Sequence, residues 1–435
     1  MGELPSRMGR PRVLAARAGR ACEHGLVDTR TSWAAPVRAE SNWVNGRPAR
    51  PGQAARAARL RRAPGAGPVP PAPWAEPDAV GEWRPAFPVD LLRTLAVHRR
   101  GPGDPALRIM ADGSVWRTAR TPDGPATIRV TTTRHAPLDA AAISAGPRQP
   151  PPRAVPAPGA VPAPTPGAAA RPAGGPVPLA GDSARLAGDG LPTIIRAAAW
   201  GPGASWLLGT LPAALGAGDD PAGFVPVHPV LCQLSRRLPG LRIGRTGLVM
   251  EALVPAVLEQ KVSGVEAHRA WRRLMLKFGE PAPGPCPPGM RVFPPPEAWR
   301  RIPSWEWHRA GAEAVRARTI IGACRVASRL EEIVSMRPAA ADRRLRSLPG
   351  IGPWTSAEIR QRACGDPDAV SVGDLHLPGV VGWALIGRVV DDAGMLELLG
   401  RYTGHRHRAA SLLVAGGFGP PRRAPRMPLR DYRAF

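Results

Sequence analysis

The segment Leu348-Pro349-Gly350-Ile351-Gly352 constrains the fold of this chain strongly, because it joins two helical patterns through a very short turn. We predict that a short helix ends at Leu348 and that a new helix begins directly after Gly352. Gly350 and Gly352 permit the positive φ angles that such a turn needs, and Ile351 would anchor the turn in the core. The turn exposes backbone N–H groups at a helix N-terminus, where a phosphate can bind without any side chain. The alternative is an ordinary corner between two helices.

Helical periodicity dominates the chain over residues 226–420. Apolar residues recur there at three- and four-residue spacing, which is typical of amphipathic helices. The segments with this pattern are GLVMEALVPAVLEQKV, VEAHRAWRRLMLKF, PPEAWRRI, AVRARTIIGACRVASRLEEIVSM and AADRRLRSL. We expect the fourth segment to form one long helix. The pattern predicts an all-α domain.

Strand-like segments precede this helical region, within residues 83–225. FPVDLLRTLAVH, ALRIMADGSVWRTAR, ATIRVTTT and TIIRAAAW are predicted strands, and the turns ADGS and PDGP are typical of β-hairpins. An Ala/Pro-rich tract at 138–183 interrupts the region, and we predict that it is a disordered insert or linker. Residues 1–82 are predicted to be a disordered tail rich in Arg, Ala and Pro, and residues 421–435 a C-terminal tail. The predicted fold class is mainly α, with a small α+β domain of antiparallel strands before the all-α domain.

The net charge of +25 indicates a polyanionic partner, of which nucleic acid is the usual example. Nearly all the cations are Arg, with lysine only at Lys261 and Lys277. A GC-rich genome would produce the same bias, but either cause leaves a surface that attracts phosphate. The net charge therefore favours a nucleic-acid partner without proving one.

The cysteines argue against a metal centre. All five are scattered and none forms a CxxC pair, so we expect no zinc, no iron–sulfur cluster and no cofactor. Unpatterned thiols favour a cytoplasmic protein, and no apolar run reaches the length of about 18 residues that a membrane span needs. We expect a monomer that does not contact a membrane.

Asp374 follows the turn, in the apolar context SVGDLHLP, which places its carboxylate beside a buried surface. An aspartate before an apolar run is more often the N-cap of a helix, so this residue has two interpretations. Asp366 and Asp368 lie in CGDPDAV, which has the composition of a turn, and we assign both of them structural roles.

The combination LPGIGPWT…GD strongly resembles the helix-hairpin-helix (HhH-GPD) DNA glycosylase superfamily, in which such a hairpin is followed by an aspartate. Within it the chain is similar to the 3-methyladenine DNA glycosylase II branch, which has LPGIG-x-WT and a segment LGQ-x-VS that VLEQKVS matches. The resemblance covers about residues 225–420 and is specific at 257–263 and 348–378. It implies a monofunctional DNA glycosylase that removes alkylated bases from double-stranded DNA during base excision repair.

The resemblance also implies roles for individual residues. Leu348 to Gly352 would form the hairpin that grips backbone phosphate, Asp374 would be the catalytic carboxylate, and Trp354 would line the base pocket. Gln260 and Lys261 would lie on the intercalation loop, which fills the gap left by the extruded nucleotide.

The chain departs from the superfamily pattern in two places. Bifunctional members carry a lysine where this chain has Trp354, so Schiff-base lyase chemistry is not expected. The segment YTGHRHRAASLLVAGG lacks tryptophans found in the best-known members, which predicts a less aromatic pocket wall. Two other functions stay open: a non-catalytic DNA-binding protein that uses the hairpin alone, and a glycosylase/lyase for other damaged bases.

Overall fold

A computed structural model of the protein describes residues 76–134 and 193–421. The insert predicted at 138–183, most of the tail predicted at 1–82 and all but the first residue of the tail predicted at 421–435 therefore lie outside the described residues.

A five-stranded antiparallel sheet forms the N-terminal part of the described chain, with its strands in the spatial order β1-β5-β4-β3-β2. The strands and the two helices among them are β1 Ala79–Trp83, α1 Leu91–Ala96, β2 Leu107–Ile109, β3 Val115–Thr121, β4 Gly124–Arg134, β5 Thr193–Trp200 and α2 Ala204–Ala214. Helix α2 packs against β1, β3, β4 and β5.

Both hairpin turns lie where the sequence predicts them. ADGS joins β2 to β3 and PDGP joins β3 to β4, and Gly113 and Gly124 adopt φ angles of 77° and 120° there. Strand β5 is the predicted TIIRAAAW strand, and it pairs with β4 in a register that places Arg134 opposite Thr193. The sheet is thus continuous although the insert separates these two strands in the sequence.

Two predictions for this region are wrong. FPVDLLRTLAVH contains helix α1 and no strand, because Asp90 caps the helix by accepting a hydrogen bond from the Arg93 N–H at 2.9 Å. The first strand begins at Ala79, before the boundary predicted after residue 82, because this segment pairs with β5. That partner lies beyond the insert, so local sequence does not reveal it.

Helices make up most of the described chain after α2. They are α3 Pro229–Arg237, α4 Val249–Leu258, α5 Gly264–Phe278, α6 Pro296–Arg301, α7 Ser304–Ala310, α8 Ala314–Arg325, α9 Ala327–Glu331, α10 Pro338–Arg346, α11 Pro353–Ile359, α12 Leu377–Ile386, α13 Asp392–Leu399 and α14 Arg406–Ala415. A short hairpin of β6 Glu280–Pro281 and β7 Arg291–Val292 lies between α5 and α6.

The single long helix predicted for residues 314–336 is interrupted. Val326 leaves the helical conformation, with φ −121° and ψ 23°, and separates α8 from α9. The interruption lets Ala327, Leu330 and Ile333 continue into the same apolar core as α8. The apolar pattern of residues 314–336 therefore predicts correctly that these side chains are buried, but it wrongly predicts one uninterrupted helix.

Three large apolar clusters and a small one of Trp116, Trp200 and Met290 stabilise the described part of the chain. Helix α4 lies at the centre of the largest cluster, and every residue of this helix except Glu251 is buried. A second cluster lies between the sheet and α2, and a third is formed by α3, α12, α13 and α14. The predicted fold class, mainly α with a small antiparallel α+β region first, is confirmed.

Glu251 links the sheet to the helical part. Its carboxylate pairs with Arg117 at 3.2 Å and accepts a hydrogen bond from the Arg120 N–H at 2.6 Å. Burial raises the pKa of the Glu251 carboxyl, against the lowering effect of Arg117. In the described ranges, none of the helices is long and apolar enough to cross a membrane.

Candidate active site

Of the two glycines in the hairpin between α10 and α11, only Gly350 has the predicted positive φ angle. Gly350 adopts φ 88°, and a Cβ built on it would lie 2.2 Å from the Thr319 Oγ1 on α8. Both the backbone angle and the space therefore require glycine. Ile351 is 5% exposed and packs in the largest apolar cluster, where it anchors the turn.

Gly352 differs from its predicted conformation. Its φ of −93° and ψ of −177° are extended backbone, and a Cβ built there meets nothing within 4 Å. Gly352 is the N-cap of α11 and no side chain caps that helix. The absence of a side chain leaves the start of α11 open to an incoming group.

Gln260 ties the loop between α4 and α5 to this hairpin. Its side-chain amide donates to the Gly350 carbonyl oxygen at 2.9 Å and to the Thr355 Oγ1 at 2.8 Å. Lys261 follows with φ 55°, and it is the one non-glycine with a positive φ in the described ranges. Lys261 is exposed at the tip of this loop, in a conformation that its neighbours must enforce.

Glu259 fixes the same loop from the side of the sheet. It pairs with Arg100 at 3.4 Å and with His268 at 3.7 Å. Burial by itself would raise the pKa of the Glu259 carboxyl, whereas Arg100 and His268 lower it, and the result is a pKa of about 2. The carboxylate is therefore ionised at neutral and mildly acidic pH and can pair with Arg100 there.

Asp374 is half-buried in the turn before α12 and uses both carboxylate oxygens. Its Oδ1 accepts hydrogen bonds from the His376 and Leu377 N–H groups, at 2.8 and 2.9 Å. Its Oδ2 accepts a hydrogen bond from the Trp354 Nε1 at 3.1 Å. The first oxygen therefore closes the turn before α12, whose N-cap position is His376, and the second oxygen is held beside the indole of the predicted base-pocket residue.

A buried polar network, which sequence reasoning missed, supports the turn that carries Asp374. The Ser371 hydroxyl donates to Glu358 at 2.6 Å and accepts from the Gln361 amide at 2.9 Å. Glu358 also pairs with Arg362 at 2.7 Å. Gln361 and Arg362 lie in a π-helical turn, Arg360–Cys364, a type of distortion that is frequent at functional sites.

The two aspartates assigned structural roles are paired with arginines. Asp366 forms an ion pair with Arg360, and Asp368 forms one with Arg406 at 2.5 Å. In both ion pairs the carboxylate contacts an arginine and not Asp374. Across residues 76–134 and 193–421, no cluster of three His, Cys, Asp or Glu side chains is arranged to hold a metal ion.

The fold of the described residues is also found in solved DNA glycosylases. Two solved structures share it: a 3-methyladenine DNA glycosylase from Archaeoglobus fulgidus and an 8-oxoguanine glycosylase/lyase from Clostridium acetobutylicum in complex with double-stranded DNA. The first covers 77% of this chain and 97% of its own, with a TM-score of 0.53 and 15% identity. The second covers 78% and 94%, with a TM-score of 0.50 and 10% identity.

Parts of two curated DNA repair proteins are similar in sequence to this chain. The chain is 35% identical, over 165 residues, to the "probable bifunctional transcriptional activator/DNA repair enzyme AlkA" of Mycobacterium tuberculosis. This match covers 36% of this chain and 32% of that protein. The chain is also 26% identical, over 155 residues, to the DNA-3-methyladenine glycosylase of Bacillus subtilis. This second match covers 34% of this chain and 50% of the glycosylase. The matches thus span 32% and 50% of the length of these two relatives. No family model matches the chain.

Proposed function

We propose that this protein is a monofunctional DNA glycosylase that removes alkylated bases, of the 3-methyladenine type, by hydrolysis of the N-glycosidic bond. The observation that carries the proposal is the placement of the Asp374 carboxylate. Backbone N–H groups orient one of its oxygens, and the Trp354 indole holds the other at 3.1 Å. A fixed carboxylate beside a half-exposed aromatic ring suits the excision of a cationic base.

The chemistry follows from the charge that bond cleavage creates. When the N-glycosidic bond breaks, its electron pair leaves with the base and positive charge develops on the sugar. An ionised Asp374 stabilises that charge and guides the water that adds to the sugar. An N-alkylated purine is already cationic and is a good leaving group, so the reaction needs no strong general acid.

Trp354 serves recognition in this proposal. The face of an indole attracts a cationic base through its negative quadrupole, and stacking on it contributes about 1–3 kcal/mol. The same gain helps to offset the cost of extruding the nucleotide, which is about a few kcal/mol and smaller for a damaged pair. The hydrogen bond from Nε1 to Asp374 fixes the indole, so the binding surface is preorganised.

The hairpin and the intercalation loop hold the DNA in this proposal. The uncovered N-terminus of α11 receives a backbone phosphate, and Leu348 to Gly352 shape the turn in front of it. Gln260 and Lys261 enter the gap left by the extruded nucleotide. The two hydrogen bonds from Gln260 to the hairpin region support a concerted action of these two segments.

Two alternatives make different demands on the residues. A glycosylase/lyase needs an amine that attacks the sugar, and this chain has lysine only at 261 and 277. Lys277 pairs with Glu306 at 2.6 Å, and Lys261 lies on the intercalation loop. A non-catalytic DNA-binding protein does not need Asp374 to be oriented toward Trp354.

The test is to incubate the protein with methylated duplex DNA, identify the released bases by chromatography, and add borohydride in parallel. We expect release of methylated purines, chiefly 3-methyladenine, with an intact strand and no covalent protein–DNA adduct. An adduct that disappears in Lys261→Gln would establish lyase chemistry instead. Tight binding without base release would favour the DNA-binding alternative.

The proposal describes a monomeric, cytoplasmic enzyme that acts on double-stranded DNA containing damaged bases. Light scattering of the free protein and of its complex with a short duplex tests the stoichiometry. We expect one protein chain in the first sample and one chain per duplex in the second.

A further inference from the structure

The turn that carries Asp374 is held at a second point by Asp392, a residue that the sequence pattern did not single out. Gly373 directly precedes Asp374 and adopts φ 91°, a left-handed conformation. Its N–H donates to both carboxylate oxygens of Asp392, at 3.0 and 3.1 Å. The contact therefore fixes the backbone from which the Asp374 side chain extends.

Asp392 is placed on a rigid support. It is the first residue of α13, which packs against α12 and buries Met395 and Leu399. The segment that connects the two helices also packs tightly on α12, because a Cβ on Gly382 would lie 2.5 Å from the Arg388 carbonyl oxygen. A displacement of Asp392 relative to the start of α12 would disturb this packing.

Helix capping does not account for the Asp392 side chain. Its neighbour Asp391 is the N-cap of α13 and accepts a hydrogen bond from the Gly394 N–H at 2.9 Å. Within the described ranges Asp392 forms no ion pair with an Arg, Lys or His, and its hydrogen bonds go to Gly373. Among the described residues, the hydrogen bonds of the Asp392 carboxylate therefore go to one backbone group, the Gly373 N–H, which directly precedes the candidate catalytic residue.

We propose that Asp392 is a positioning residue for base excision. It holds Gly373 in the left-handed conformation and thereby sets the direction in which the Asp374 carboxylate faces the sugar. This inference rests on the proposed glycosylase function. Because Asp392 acts through a hydrogen bond to the backbone and not through its charge, an asparagine oxygen can replace it and a methyl group cannot.

The test compares three variants of the full chain with the wild type: Asp392→Ala, Asp392→Asn and the adjacent control Asp391→Ala. Single-turnover excision is measured on a methylated duplex with enzyme in excess. Asp392→Ala should slow excision by at least about tenfold at unchanged duplex affinity, since a small misplacement of a catalytic group has effects of this size or larger. Asp392→Asn should recover most of that loss. Asp391→Ala should lower the melting temperature and leave the rate unchanged.

Hydrogen exchange of the peptide that spans residues 371–376 provides a readout that does not depend on activity. We expect faster exchange in Asp392→Ala, and wild-type exchange in Asp392→Asn and in Asp391→Ala. Wild-type exchange and rate in Asp392→Ala would overturn the inference, as would an Asn variant as slow as the Ala variant. If the wild type releases no base, the proposed function fails, and the exchange data alone decide whether Asp392 holds this turn.

Discussion

The hairpin at 348–352 and the turn at 371–376 differ in what holds them. The hairpin depends mainly on its own sequence, because Gly350 supplies the left-handed angle and Ile351 inserts into the core, and Gln260 adds one hydrogen bond to the Gly350 carbonyl oxygen. The turn that carries Asp374 is fixed by side chains from other elements: Trp354 on α11, Glu358 through Ser371, and Asp392 on α13. A turn defined by its backbone angles can be encoded locally, whereas an oriented carboxylate depends on partners from several elements.

The substitution Asp374→Asn is the strongest test of the role that we assign to the turn at 371–376. An asparagine oxygen can still accept from the His376 and Leu377 N–H groups, so the start of α12 should survive. Its NH₂ group would face the Trp354 N–H, so this hydrogen bond and the negative charge are both lost. We expect single-turnover excision to fall by at least about a hundredfold, the scale for losing one preorganised electrostatic group. Duplex affinity should hold or rise, because the carboxylate repels phosphates.

Asp374→Ala is the control that separates catalysis from capping. Loss of the hydrogen bonds to the His376 and Leu377 N–H groups should cost about 1 kcal/mol of stability in this variant and much less in the Asn variant. Thermal melting of both proteins measures the difference. If Asp374 were only a helix cap, both variants would excise at the wild-type rate, and a folded Asn variant with that rate would contradict a catalytic role.

The hairpin glycines should separate into two classes. Gly350→Val places a side chain on Thr319 in a left-handed backbone, so we expect a loss of about 1–3 kcal/mol or more in the free energy of unfolding. Gly352→Val meets neither strain nor neighbours and should fold normally. If phosphate approaches the start of α11, Gly352→Val should still weaken duplex binding by about tenfold, regardless of sequence.

Gly218→Val is the matched control for Gly352→Val, because a Cβ on Gly218 also meets nothing within 4 Å. Melting curves and titrations of a fluorescent duplex at fixed salt compare the variants. Wild-type affinity in folded Gly352→Val would remove the start of α11 from DNA binding.

The same contrast explains how far the sequence predicts this molecule. The hairpin turns of the sheet, the buried face of α4 and the position of Ile351 follow from local periodicity and turn residues. The short apolar segment FPVDLLRTLAVH favours a strand by composition, but the Asp90 side chain caps a helix there and α1 forms instead. Gly352 shows that a glycine in a turn motif does not by itself imply a positive φ.

The residues that support the turn at 371–376 were not predictable from single-residue patterns. Glu358 and Gln361 lie on α11 and the π-helical turn that follows it, where polar residues normally indicate a solvent-exposed face. Here both are buried, because Ser371 satisfies their hydrogen-bonding groups. Such networks become visible only when distant elements are packed together.

Ser371→Ala tests that support with a smaller expected effect. The substitution leaves one Glu358 oxygen without the Ser371 hydroxyl in a buried environment, which costs about 1–3 kcal/mol. We expect a lower melting temperature and an excision rate reduced severalfold at most, since Trp354 still holds Asp374. Ser347→Ala is a suitable control, because that hydroxyl is exposed and bonds to the Arg344 carbonyl oxygen. A loss as large as that of Asp374→Asn would mean that Ser371 takes a direct part in the reaction.

The smallest effect on excision is expected at Glu259, where the acid stability of the fold should change instead. The folded-state pKa of about 2 lies below the ordinary value of 4.5. The Glu259 contacts therefore stabilise the fold fully above about pH 4.5, and this contribution disappears as the pH falls toward 2. The shift corresponds to about 3 kcal/mol at most.

Glu259→Gln should be less stable than the wild type at pH 7 and converge with it near pH 2, in urea unfolding series. Glu332→Gln, which breaks an exposed pair with Arg344, should change stability by less than about 1 kcal/mol. A constant difference between wild type and Glu259→Gln across this pH range would show that the loop before Lys261 is held by packing and not by the ion pair with Arg100.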